Sequence, residues 1–191
     1  MEHSLTLMAT IYYLPGRGGR LHTGLGKAIQ DRGFDITGRE TVGTFSGLVF
    51  SEQVAVIAED LRNHFWDKST RVVANSFGAY LFLHAQSGLS AFPGSVLLLS
   101  PIVGGFYDDS LGTGFVPPFP DKLFQLAHNG SMPTPRWCEM HVGDQDWQCN
   151  PEKVCALGAL IGVSVSVVPD TGHSLGQRYV AEVLDRWLQA N

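Results

Sequence analysis

The segment Arg71-Val72-Val73-Ala74-Asn75-Ser76-Phe77-Gly78-Ala79-Tyr80-Leu81-Phe82-Leu83-His84-Ala85 changes character in its middle. It opens as a short apolar, β-branched run without alternation, as expected of a parallel strand buried on both faces. From Phe77 onward it is apolar nearly all round, which suits a helix packed beside a sheet. The join falls at Ala74-Asn75-Ser76-Phe77-Gly78, where small residues surround a serine at what must be a sharp strand-to-helix turn.

The same rhythm extends in both directions. Strand-like runs lie at residues 5–14, 34–39, 70–75, 95–100, 137–142 and 163–168. Between them, Val54, Ile57, Leu61 and Phe65 share one helical stripe, as do Val180, Val183, Leu184, Trp187 and Leu188. Asn150-Pro151-Glu152 reads as an N-cap followed by proline in the first turn, opening a helix that carries Val154, Leu157 and Ile161. Strands alternating with helices predict an α/β fold, with a mostly parallel sheet of about six strands in a three-layer α/β/α arrangement. No repeat or charged linker interrupts it, so residues 1–191 read as a single domain. The one long irregular stretch, residues 102–135, carries one helix near 121–128 and is too short for a cap domain; loops of this length are often binding loops or lids.

Composition narrows the function classes. The chain has 191 residues, 44% hydrophobic and 16% charged, with 18 acidic against 13 basic side chains and a net charge of -5. That is globular material without a basic stripe for a phosphate backbone, so a small molecule is the expected partner and nucleic acid is not. No run approaches the roughly 20 apolar residues of a membrane span. Three cysteines, Cys138, Cys149 and Cys155, do not make a disulfide scaffold, and the N-terminus has no signal-peptide pattern; the cytoplasm is the expected location. The spacings of Cys138, His141, Asp144 and Cys149 match no standard zinc pattern, and no metal or cofactor is expected.

Two segments fit a small-x-Ser-x-Gly pattern, the one around Ser76 and Gly172-His173-Ser174-Leu175-Gly176. The second matches the usual expression better, but Pro169-Asp170-Thr171 separates it from its strand. Chain order decides between them, because in this architecture an acid and a histidine follow the nucleophile. No histidine follows Ser174. His173, in a turn beyond the last strand, is the expected base for Ser76; His84 lies inside the apolar helix and His64 ends an amphipathic one. The acid should leave the preceding strand, where Gly143-Asp144-Gln145-Asp146 offers both Asp144 and Asp146. Two backbone N–H groups must meet the developing oxyanion. Phe77 and Arg17, the latter in Pro15-Gly16-Arg17-Gly18-Gly19, are the expected donors.

These four motifs together resemble the α/β-hydrolase superfamily, and most closely its small capless esterases and lidless lipases. The resemblance covers nearly the whole chain. It implies Ser-Asp-His chemistry through an acyl-enzyme, without a cofactor; a small acyl substrate and a monomer or homodimer are expected. Its Gly-x-x-Asp acid loop maps onto Gly143 and Asp146, which favours Asp146 over Asp144. There are departures: Pro15 stands where the family usually has histidine, Asn75 replaces a frequent histidine, and the leading strands are mostly missing. A carboxylesterase is the first expectation. Thioesterase, amidase or peptidase action, or a catalytically silent binding protein, are the alternatives. Phe106, Tyr107, Phe115, Phe119 and Phe124 could line an acyl site, and Arg17 and Arg20 could steer acidic substrates. Because an imidazole base must be neutral, activity is expected to rise with pH through roughly 6 to 7.5.

Overall fold

The structure is a computed structural model that describes residues 9–110 and 112–190; residues 5–8 of the expected first strand lie outside them. The elements run β1 (Thr10–Leu14), α1 (Gly24–Gln30), β2 (Asp35–Gly38), α2 (Gly43–Ser46), α3 (Phe50–His64), β3 (Arg71–Asn75), α4 (Phe77–Gln86) and β4 (Ser95–Leu99). They continue with β5 (Phe106–Asp108), β6 (Thr113–Phe115), α5 (Lys122–His128), β7 (Trp137–Gly143), α6 (Pro151–Ile161), β8 (Ser164–Val168) and α7 (Gln177–Ala190). Six strands form one sheet in the order β2-β1-β3-β4-β7-β8, and every ladder in it is parallel.

The apolar runs take the interior places. Every residue of β4 is buried, whereas β2 and β8 lie at the sheet's edges and are partly exposed. Successive strand residues face opposite layers. Tyr12 and Leu14 of β1, with Val72 and Ala74 of β3, pack under α3, α4, α5 and α6, which contribute Ile57, Leu81, Leu123 and Val154 among others. Ile11, Tyr13 and Val73 face the other way, against Ile29 of α1 and Val183, Leu184, Trp187 and Leu188 of α7. All of α4 is buried, as its sequence requires. Asn150 caps α6 by accepting from the Lys153 N–H at 3.1 Å, with Pro151 next in line.

The chain goes from β1 outward to β2, then returns past β1 to β3 and works toward the far edge. The crossover connections after β1 and β3 therefore leave on opposite faces, and a crevice opens at the carboxyl ends of these neighbours, where open α/β sheets bind their ligands. Leu14 pairs with Ala74, so the loop at residues 15–19 and the Ser76 turn leave side by side. The long segment after β4 is more ordered than its composition suggests. β5 and β6 form an antiparallel hairpin, Phe106 opposite Phe115, followed by the expected helix as α5. The Tyr80 hydroxyl donates to the Pro118 carbonyl at 2.8 Å, and Lys153 Nζ donates to the Gly105 carbonyl at 2.8 Å. No described helix is long and apolar enough to cross a membrane.

The start of α4 presses directly on the end of β1. A Cβ at Gly78 would stand 2.1 Å from the Leu14 carbonyl oxygen and 2.5 Å from that of Pro15, both rigid backbone. Gly78→Ala is expected to lower stability by about 2 kcal/mol or more, read as a shifted urea midpoint. An unchanged midpoint would mean that the approach of α4 to β1 is not constrained in this way.

Candidate active site

Ser76 occupies the turn between β3 and α4 with φ 52° and ψ -120°, a conformation that an L-residue adopts only under constraint. The turn is held from three sides: Ser76 N–H donates to the Leu99 carbonyl at 3.0 Å, Ile102 N–H donates to the Ser76 carbonyl at 3.3 Å, and Gly78 admits the β1 backbone. Ser174, in the competing motif, has no such backbone. The strain lifts Ser76 Oγ to 2.9 Å from His173 Nε2, across 97 residues of sequence.

His173 comes from the loop between β8 and α7. Its Nδ1 lies 3.0 Å and 3.2 Å from the two carboxylate oxygens of Asp146. An ionised carboxylate can only accept, so Nδ1 donates to it and Nε2 is left free to accept from the serine hydroxyl. The Asp146 side chain is fully buried and also accepts from the Gln148 and Cys149 N–H groups, each at 3.0 Å. Asp144 plays a different part: its carboxylate accepts from the Thr171 N–H at 3.3 Å and so ties down the loop that carries the histidine. Gly143 lets the two loops meet, since a Cβ there would come within 2.2 Å of the Thr171 carbonyl oxygen.

Two supporting residues escaped the sequence reading. Ser100 donates through Oγ to the His173 carbonyl at 2.9 Å, and its own carbonyl accepts from Cys149 Sγ at 2.8 Å. Cys149 Sγ also lies 3.4 Å from His173 Nδ1; burial, with Asp146 alongside, pushes this thiol up and keeps it neutral. Ser100-Pro101 marks a strand end in the sequence, but nothing local says where the hydroxyl reaches. Among the described residues, Asp146, Cys149 and His173 are the cluster of three or more potential metal-ligating side chains; Cys138, His141 and Asp144 do not join it. The two buried histidines, His84 and His141, lie outside this cluster. His84 packs against Phe50 and Tyr80, and burial, with Lys122 nearby, pushes it down to about 4. His141 Nδ1 meets the Tyr179 hydroxyl at 2.8 Å.

On the other side of Ser76 lies the loop after β1. A Cβ at Gly16 would stand 3.1 Å from Ser76 Cβ and 3.6 Å from its Oγ. The Gly16 carbonyl accepts from the Thr41 hydroxyl and from the Gly19 N–H at 2.9 Å. In a planar trans peptide the next N–H points the opposite way, so buried Thr41 turns the Arg17 N–H away from itself. Phe77 is the first residue of α4, where N–H groups have no partner within the helix. One cavity has the serine in its wall, and a second reaches the next residue, Phe77. The first, of about 300 Å³, is lined by Ser76, His173, Leu25, Leu99 and Val180. The second, of about 350 Å³, is lined by Arg17, Thr41, Phe50, Gln53, Phe77 and Phe115. Of the five aromatic residues expected to line an acyl site, Phe115 lies on its wall. Phe106 packs between Phe115 and Trp147, Phe124 packs against the core, and Tyr107 and Phe119 are exposed.

No protein-family model and no curated protein sequence matches the chain. Solved structures do resemble it. A protein assigned to the alpha/beta hydrolase superfamily from Xanthomonas campestris pv. campestris is 13% identical with a TM-score of 0.67, over 96% of this chain and 99% of that one. The ydeN gene product from B. subtilis is 13% identical with a TM-score of 0.67, over 95% of this chain and 100% of that one. Est1E from Butyrivibrio proteoclasticus is 11% identical with a TM-score of 0.65, over 95% and 87%. At such identities the likeness speaks for the fold: the chain has the α/β-hydrolase fold.

Burial alone would raise the Asp146 carboxyl, but its hydrogen bonds with His173 and the Cys149 N–H outweigh that and hold it below the ordinary value. A carboxyl depressed in the folded state stabilises the fold above its unfolded-chain pKa, and that stability is lost as pH falls through the folded-state value. The stability gap between the native protein and Asp146→Asn should therefore be present above about pH 4 and shrink below it. Urea titrations at several pH values measure it, and a gap as large at pH 2 as at pH 5 would contradict the assignment.

Proposed function

We propose that this chain is a serine hydrolase that cleaves a small carboxylic ester through an acyl-enzyme. Ser76 is the nucleophile, His173 the base and then the acid, Asp146 the carboxylate that orients it, and the Arg17 and Phe77 N–H groups the oxyanion donors. The observation that carries this reading is the 2.9 Å contact between Ser76 Oγ and His173 Nε2, with Asp146 behind the ring at 3.0 Å.

The cycle follows from those positions. Ser76 Oγ attacks the carbonyl carbon while its proton passes to His173 Nε2, and the carbonyl oxygen takes up negative charge between the two N–H donors. As the tetrahedral intermediate collapses, the bond to the alkoxy oxygen breaks and His173 returns the proton to the leaving alcohol. Water then gives its proton to His173 and attacks the acyl-enzyme; collapse restores Ser76 and releases the acid. Asp146 keeps the imidazole in one tautomer and stabilises the imidazolium of each half-reaction. Cys149 and Ser100 hold the acid and the histidine loop, so neither ring nor carboxylate must reorganise during the reaction.

A panel of p-nitrophenyl esters of increasing acyl length tests this directly. Short-chain esters should be turned over, Ser76→Ala should lose at least about 10⁴-fold in kcat, and Asp146→Asn about 10³-fold or more. Hydrolysis that persists undiminished in Ser76→Ala would overturn the reading.

A further inference from the structure

Ser76 lines one of the two cavities and its chain neighbour Phe77 lines the other, so the hydrolase reading gives them different halves of the substrate. His173 must protonate the leaving alcohol, so the alcohol belongs on the side of the cavity that His173 lines. The acyl group then extends the other way, into the cavity walled by Phe77 and Phe115. That assignment of halves rests on the hydrolase reading; the character of the cavity does not.

Arg17 supplies the one charged side chain among the described residues lining this cavity, and no acidic residue shares the wall. Its guanidinium carbon lies 4.4 Å from the centroid of the Phe115 ring and 5.0 Å from that of Phe77. Stacking on aromatic faces orients the planar fork without using up its N–H donors. Arg17 takes part in none of the ion pairs found among the described residues, whereas nearby Arg20 is engaged with Glu40 at 3.9 Å. Leu48, Phe50, Phe77, Phe115 and Pro118 form the apolar part of the wall, and Thr41, Ser46 and Gln53 its neutral polar part. A cation oriented by aromatic faces, without an acidic partner among the described residues and beside a partly apolar wall, suits a ligand with a short hydrocarbon stretch ending in an anion.

We propose that this cavity takes an acyl group bearing a terminal carboxylate, so that the preferred substrate class is the monoester of a short dicarboxylic acid, with Arg17 binding the free carboxylate. Because Arg17 also contributes its main-chain N–H to the site, the test reads a ratio within each variant, which cancels any general loss of rate. The kcat/KM for the p-nitrophenyl monoester of glutaric acid is divided by that for p-nitrophenyl pentanoate, which matches it in length but lacks the acid. In the native protein the ratio should exceed one and shrink with added salt, since the guanidinium is exposed. In Arg17→Met it should fall about tenfold. A ratio unmoved by Arg17→Met overturns the proposal. If the native protein cleaves neither ester, the hydrolase reading fails and the cavity is judged by calorimetry alone. Monomethyl glutarate should then bind Ser76→Ala more tightly than methyl pentanoate does, and lose that advantage when Arg17→Met is added. Equal binding of the two would overturn the anion site as well.

Discussion

A hydroxyl at the end of β3 and an imidazole beyond β8 meet across the carboxyl edge of a sheet in which β4 and β7 lie between them. Bringing groups 97 residues apart into hydrogen-bond distance costs chain entropy, and a single contact of this kind returns little of it. The surrounding structure fixes both partners first. Backbone strain at Ser76 is held by β4, by Ile102 and by the close approach of α4 to β1. The histidine loop is pinned by Asp144 at Thr171, by the close packing on Gly143, and by Ser100 at the His173 carbonyl itself. The pairing of serine with histidine is thus set by anchors that would persist if either side chain were removed.

The acid is treated differently from its neighbour two residues earlier. Asp146 is sealed from water and surrounded by donors, so its charge is kept by hydrogen bonds rather than by solvent. Asp144 is exposed and secures a turn. Cys149 donates its N–H to Asp146 and its thiol to Ser100, which joins the acid loop to the end of β4. Thr41 serves the opposite wall in the same spirit, fixing the loop peptide whose N–H faces away from it.

Much of this was legible in the sequence because it is written in local patterns. All six strands of the main sheet fall within the strand-like runs of the sequence, α3, α6 and α7 follow their one-sided apolar stripes, and α4 follows a segment apolar nearly all round. The helix α1 left no such signal: it is seven residues long, begins at Gly24 and contains Gly26. α2 spans four residues and buries none. The β5–β6 hairpin has strands of three residues, too short for alternation to register. Ser76, His173 and Asp146 were singled out through motif and order, with Asp146 preferred over Asp144 on family resemblance, and the structure brings these three side chains together. Ser100, Cys149 and Thr41 were invisible because their partners lie 73, 49 and 25 residues away, and no local spacing encodes such contacts.

The central claim is that the strained serine is activated by this one histidine. A fluorophosphonate reacts covalently with a serine hydroxyl only where a base has made it nucleophilic, so peptide mapping by mass spectrometry after brief exposure addresses the claim at atomic level. The account predicts a single adduct, on the peptide containing Ser76, formed far more slowly in His173→Ala. An adduct on Ser174, or labelling of Ser76 at an undiminished rate without the imidazole, would contradict it.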